Sequence, residues 1–183
     1  MSDSPIRSTH LDPQGHPRMV DVSAKPTTSR AATATASITM LPQTARMIRE
    51  GTAAKGDVLA VARLAAIQST KLTALLIPLC HPIPVEGVEV RFAFTGETTL
   101  NCEVDVRTSG KTGVEMEALT AAMAACLTVY DMCKSVDRGM EIVSAKLLAK
   151  SGGASGNFTA PATPPTQPAP SQPAQLTRGS QDN

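Results

Sequence analysis

Aromatic side chains are almost missing from this chain: of its 183 residues, three are Phe, one is Tyr and none is Trp. A core must therefore come from Val, Ile, Leu, Met and Ala, and a hydrophobic content of 42% is enough to build one. The same shortage removes the stacking platform that single-stranded nucleic acid requires. Charge of one sign is not in excess either. The 17 Lys and Arg stand against 16 Asp and Glu and are interspersed with them, so no basic stripe marks a nucleic-acid partner. No stretch approaches the roughly 18 apolar residues of a membrane span, and the N-terminus carries no apolar signal-like segment. The expectation is a cytoplasmic protein without a membrane partner. Cys80, Cys102, Cys126 and Cys133 fall in no C-x-x-C pair, which suits a reducing compartment better than a disulfide framework. His81 is the sole histidine outside the N-terminal arm, and beside Cys80 alone it does not make a four-ligand site, so no metal centre is expected.

What is present organises the chain into three parts. Residues 1–17 are polar and punctuated by Pro5, Pro13, Gly15 and Pro17, the composition of a flexible arm. From 159 to 183 the chain holds six prolines and one large apolar residue, Leu176, so it cannot bury enough surface to offset its ordering entropy and reads as a disordered tail. Residues 18–158 form the folded domain. Within it, Ser37 to Met40 is a short β-like run, and Pro42 to Glu50 reads as a helix opened by its proline and stopped by Gly51. Asp57 is placed to cap a second helix with a core face of Val58, Val61, Ala62, Ala65 and Leu72, ending before Pro78. Two strands follow. Val88, Val90, Phe92 and Phe94 alternate with polar neighbours, as do Leu100, Cys102, Val104 and Val106, and Gly96 lies in the loop between them. A long helix runs from Glu115 to Arg138 with the stripe Leu119, Ala122, Cys126, Val129 and Cys133, closed by Gly139. A last strand covers Ile142 to Lys150. Strand, helices, two strands, helix, strand is the order of an α+β, ferredoxin-like split βαβ fold, an antiparallel sheet with helices packed on one face.

Chemistry has to come from sites rather than from such a widely used fold. Lys55-Gly56-Asp57, Pro78-Leu79-Cys80-His81-Pro82, Ser109 through Glu117, Tyr130 through Lys134 and Ala149 through Gly153 all look unlike core. Singly, each has an ordinary reading: Lys55 and Lys150 as solvated cations, Glu115 and Glu117 as acids at a helix start, Asp131 and Lys134 as a surface pair three residues apart. Gly110-Lys111-Thr112 is not a Walker loop, because Asp105 stands where the leading glycine is required. Together, four glycine- or proline-bounded turns present Lys or His, and one helix presents Asp131 with Lys134. Such a set can hold a polyanion and supply a proton donor and acceptor. A carboxylate beside an ammonium keeps its charge, while burial would push a lysine toward neutrality. The residues alone point to a phosphorylated small molecule.

These segments resemble the motifs of the molybdenum cofactor biosynthesis protein C family, the cyclic pyranopterin monophosphate synthases. The matching stretches are Met19 to Ser23, Lys55 to Val58, Ile77 to Pro82, Gly110 to Leu119, Tyr130 to Lys134 and Leu147 to Gly153. The resemblance implies a lyase that converts (8S)-3',8-cyclo-7,8-dihydroguanosine 5'-triphosphate, supplied by a radical GTP cyclase, into cyclic pyranopterin monophosphate and diphosphate, upstream of molybdopterin synthase. It implies Asp131 and Lys134 as catalytic residues, Leu79, Cys80, His81, Met116 and Glu117 as substrate-binding ones, and Lys55, Lys150 and Arg30 as further pocket residues. No tightly bound cofactor is implied, and Mg²⁺ entering with the triphosphate is compatible with these residues. Ala154 departs from the pattern, since relatives often carry lysine after the Gly-Gly pair. The alternative from another class is a non-catalytic nucleotide-sensing module on the same ferredoxin-like scaffold.

The resemblance also implies a homohexamer, a trimer of dimers with active sites at subunit interfaces. The sequence agrees, because the stretch Val58 to Ile77 is apolar on nearly all sides, with Leu59, Leu64, Ile67, Leu75 and Leu76 beyond what one small sheet can bury. A site shared between subunits would be expected to take Lys55 from one chain and Asp131 from another.

Overall fold

A computed structural model describes residues 10–154 and 156–161. In it β1 (Thr28–Thr39) is followed by α1 (Pro42–Arg49), α2 (Val58–Thr70) and the short α3 (Thr73–Leu76), then by β2 (Gly87–Thr95), β3 (Thr99–Gly110), α4 (Glu115–Cys133), β4 (Glu141–Ser151) and β5 (Phe158–Thr159). The strands form one antiparallel sheet in the order β2-β3-β1-β4-β5. The α+β class and the split βαβ order read from the sequence both hold, with β5 as a short addition against the end of β4. Residues 162–183 of the expected tail lie outside the described residues.

The period-2 patterns of β2 and β3 place Val90, Leu100, Cys102, Val104 and Val106 under the helices. On the opposite face Arg91 pairs with Glu103 at 2.7 Å and Asp105 at 2.5 Å, and Arg107 with Glu89 at 3.1 Å. β1 is three times longer than the Ser37–Met40 run expected. Its Ala32, Ala34 and Ala36 are buried and alternate with Thr33, Thr35 and Ser37 on the polar face, a strand whose small side chains give little apolar signal. Those alanines leave room for α4, which lies across β1, β3 and β4. By length and composition α4 is also the one described helix apolar enough to cross a membrane, but its buried face of Ala118, Ala121, Ala122, Ala125, Cys126 and Val129 is core. All four cysteines are free thiols, and burial pushes Cys102 and Cys126 up to about 12.

Two helix expectations need correction. Asp57 does cap α2, accepting the Ala60 N–H at 2.9 Å, but the core face is Val58, Ala62, Ala66, Ser69 and Thr70. Val61 is 42% exposed, and Leu72 is exposed beyond the helix end. The helix stops at Thr70, where Ser69 and Thr70 hydroxyls turn back onto the carbonyls of Ala66 and Ile67, both at 2.8 Å. α4 ends at Cys133, not Arg138. The chain leaves the helix there to bury Asp137, whose carboxylate accepts from the Leu41 N–H at 2.8 Å and the Thr44 hydroxyl at 3.0 Å. Leu41 supplies no side-chain cap of its own, so Asp137 does from 96 residues away what a local cap does elsewhere.

Candidate functional site

α4 carries candidate residues at both ends, and the two groups are far apart. Glu117 and Asp131 are separated by 14 positions, about 21 Å at 1.5 Å per residue.

At the N-terminal end two cavities, of about 270 and 300 Å³, share Lys25, Thr112, Gly113 and Glu115 as a common wall. The first has mixed walls, with Val20, Val22, Leu79, Ile83 and Met116 on its apolar side and Cys80, His81 and Glu117 on its polar side. The second is cationic, with Lys25, Arg30, Lys111 and Lys150. Local structure fixes several of these cations. Arg30 Nε donates to the Gly110 carbonyl at 3.1 Å, Lys111 Nζ donates to the Ser23 carbonyl at 2.6 Å, and Lys150 Nζ stands 3.3 Å from the Glu115 carboxylate. The Gly152-Gly153 turn has φ of 87° and 79°, and a Cβ on Gly153 would run into the Arg30 guanidinium. Only glycine lets that loop close over the arginine.

Glu117, in the first turn of the helix, is only 2% exposed. Burial pushes its carboxyl above the usual range; its own backbone N–H pulls the other way, and the nearby Glu115 charge adds a lesser push upward. Burial, then the Glu117 charge, also raises the Cys80 thiol. A raised acid costs stability as it ionises, so this contribution is absent below the unfolded-state value near pH 4 and grows as pH rises toward the folded-state value. Glu117→Gln is therefore expected to melt higher than the unchanged protein at neutral pH and to lose that advantage near pH 4. Calorimetry at the two pH values checks it, and equal melting temperatures at neutral pH would sink it.

At the other end, Lys134 Nζ lies 2.7 Å from Asp131 Oδ1. Lys55 Nζ lies 3.8 Å from Asp131 Oδ2 and donates to the Asp131 carbonyl at 3.0 Å. All three side chains are about half exposed. The Lys134 hydrogen bond and charge, with Lys55 behind them, hold the Asp131 carboxyl below its ordinary range, and Asp131 in turn raises Lys134. Burial does not push this lysine toward neutrality: the pair is a charged acceptor beside a charged donor. The expectation that Lys55 and Asp131 come from different chains also fails, because the two touch within one.

One chain thus brings Arg30, Leu79, Cys80, His81, Met116, Glu117 and Lys150 to one end of α4 and Lys55, Asp131 and Lys134 to the other. Sequence reasoning passed over Lys25, and it counted Lys111 among the glycine-bounded cations without naming it as a site residue. Both are loop lysines of ordinary surface character, and the signal near Lys25 was the Met19–Ser23 stretch directly before it. Among the described residues no group of three or more His, Cys, Asp or Glu side chains is arranged to hold a metal ion.

Residues 19–153 match the family model described as the MoaC family. The protein named cyclic pyranopterin monophosphate synthase from Brevibacillus brevis (strain 47 / JCM 6285 / NBRC 100599) is 53% identical over 150 residues, covering 82% of this chain and 94% of that one.

Proposed function

The chain belongs to the MoaC family, and on that premise we propose that it is a cyclic pyranopterin monophosphate synthase of molybdenum-cofactor biosynthesis. It would act as a phosphorus–oxygen lyase on the cyclised GTP derivative. The observation that carries the reading is the pairing of two cavities across one wall. A compartment of mixed apolar and polar walls, with a buried carboxylate and His81, suits a purine-derived heterocycle, and Lys25 on the shared wall with Arg30, Lys111 and Lys150 beyond it suits its triphosphate. The cations would neutralise and orient the phosphates, the main contribution in phosphate chemistry.

In the closing step a sugar hydroxyl oxygen bonds to the α-phosphorus, and the bond from that phosphorus to the bridging oxygen breaks, releasing diphosphate. The hydroxyl proton needs an acceptor and the departing charge needs cations. Asp131 is held ionised and Lys134 protonated, so the pair offers one acceptor and one donor. It lies too far along α4 to serve the cavities of its own chain. A neighbouring subunit would have to bring it, which agrees with the homohexamer, a trimer of dimers, that the family resemblance implies. The band of Val61, Leu64, Leu72, Leu75 and Leu76 supports such an assembly, with Leu75 82% and Leu64 66% exposed. This reading carries with it a cytoplasmic location alongside the radical GTP cyclase and molybdopterin synthase, no resident cofactor, and Mg²⁺ only as a counter-ion of the triphosphate.

The test is incubation of the purified chain with the cyclised nucleotide made by a radical GTP cyclase. One diphosphate should appear for each cyclic product, and none from GTP. A protein that binds the nucleotide and releases no diphosphate is a sensor, and the synthase reading fails.

A further inference from the structure

Residues 10–18 lie before the span that matches the family, and most of them in the arm expected to be flexible. They form a short hairpin. The Arg18 N–H donates to the His10 carbonyl at 2.9 Å, and the Asp12 N–H to the His16 carbonyl at 3.0 Å. The Asp12 carboxylate closes the turn, accepting from the N–H of Gln14 at 2.9 Å and of His16 at 2.8 Å. Downstream, Lys111 grips the Ser23 carbonyl, and Val20 and Val22 lie along the first cavity. The arm thereby meets the cavity at His10, Val20, Val22 and Lys25, and its first described residue, His10, lines the same cavity as His81 and Glu117.

His10 does not line the cationic compartment, where Lys25, Arg30, Lys111 and Lys150 gather. Its cavity joins Val20, Val22, Leu79, Ile83 and Met116 to His81 and Glu117, and Lys25 on the shared wall is its single Lys or Arg. An imidazole in such company has a flat face and a polar edge to offer a heterocycle, and is in the wrong compartment for a triphosphate chain. We propose that His10 is a further substrate-contacting residue, delivered by the N-terminal hairpin to bind the purine-derived heterocycle and not the phosphates. The proposal rests on the synthase reading above.

The experiment uses the full chain in the diphosphate-release assay, with inorganic tripolyphosphate as a competitive inhibitor that probes the cationic compartment alone. His10→Ala should raise KM for the cyclised nucleotide by about tenfold and leave the tripolyphosphate inhibition constant within about twofold. His16→Ala, on the same hairpin with a side chain 76% exposed, should change neither. An unchanged KM in His10→Ala would overturn the proposal. So would a rise of KM and of the inhibition constant together, because the hairpin would then only prop the cavity. Absence of turnover by the unchanged protein would instead strike the synthase reading itself, and this contact would fall with it.

Discussion

Asp131→Ala is expected to lower product formation by about a hundredfold or more, the range of a general acid–base group, while the melting temperature stays where it was. The two halves of that expectation have different causes. Asp131 is an exposed helix residue whose partners are two exposed lysines, so its removal leaves no buried charge and takes away a pair of small structural value. In the proposed reaction it would be the one acceptor of the charged cluster, since no other carboxylate pairs with Lys134 or Lys55 among the described residues. Lys134→Ala should lose activity similarly, and the double variant should be little worse than either single one, since the two act as a unit. Residual Lys134→Ala activity should also show its acid limb moved to higher pH. Lys134 is the largest cause of the lowered Asp131 pKa, so its loss lets that pKa climb back. A variant at Asp131 that keeps more than about a tenth of the rate, roughly 1.4 kcal/mol of barrier, or one that loses its fold with its rate, would refute the catalytic assignment.

Much of this arrangement was legible in the sequence, for identifiable reasons. The hairpin of β2 and β3 showed itself through strict alternation, and α4 through its stripe of small and apolar residues. Asp57 was recognisable as a cap because local hydrogen bonding follows local spacing. β1 was mostly invisible because Ala and Thr alternate without contrast in hydrophobicity, although Ala34 and Ala36 are among the most buried residues. The end of α4 was misjudged because its stop is not the downstream glycine. It is the long-range demand of α1 for the Asp137 carboxylate, which no local pattern announces. The site divides in the same way. Glycine- and proline-bounded loops made Leu79, Cys80, His81 and Lys150 conspicuous. Lys25 looks like any solvated lysine until the fold lays it on one cavity with Lys111. The separation of Glu117 from Asp131 could have been read from helix arithmetic alone. That arithmetic rules out a site made from both ends of a single α4.

Mixing Asp131→Ala protein with Lys150→Ala protein, each nearly inactive alone, is expected to restore about a quarter of the unmodified activity once subunits exchange. The figure follows from the geometry. If each site joins the cavity end of one chain to the Asp131 end of another, a mixed pair of subunits holds two unlike sites. One takes its cavity end from the Asp131→Ala chain and its charged pair from the Lys150→Ala chain, so both halves are intact. The other holds both defects. In a 1:1 mixture about half the interfaces are mixed and half the sites in those are whole. The pairing of variants matters, because Lys55 touches Asp131 within one chain. Lys55→Ala and Asp131→Ala damage the same half of the site, and their mixture should stay inactive however completely it exchanges. Recovery in that second mixture would show the two residues acting in different half-sites. No recovery in the first, with exchange verified by mass-tagged subunits, would mean that the ends of α4 do not meet across an interface. A single monomeric species on sizing at micromolar concentration would mean the same. The exposed leucines of α2 and α3 would then need another partner, and Asp131 would have no cavity to serve.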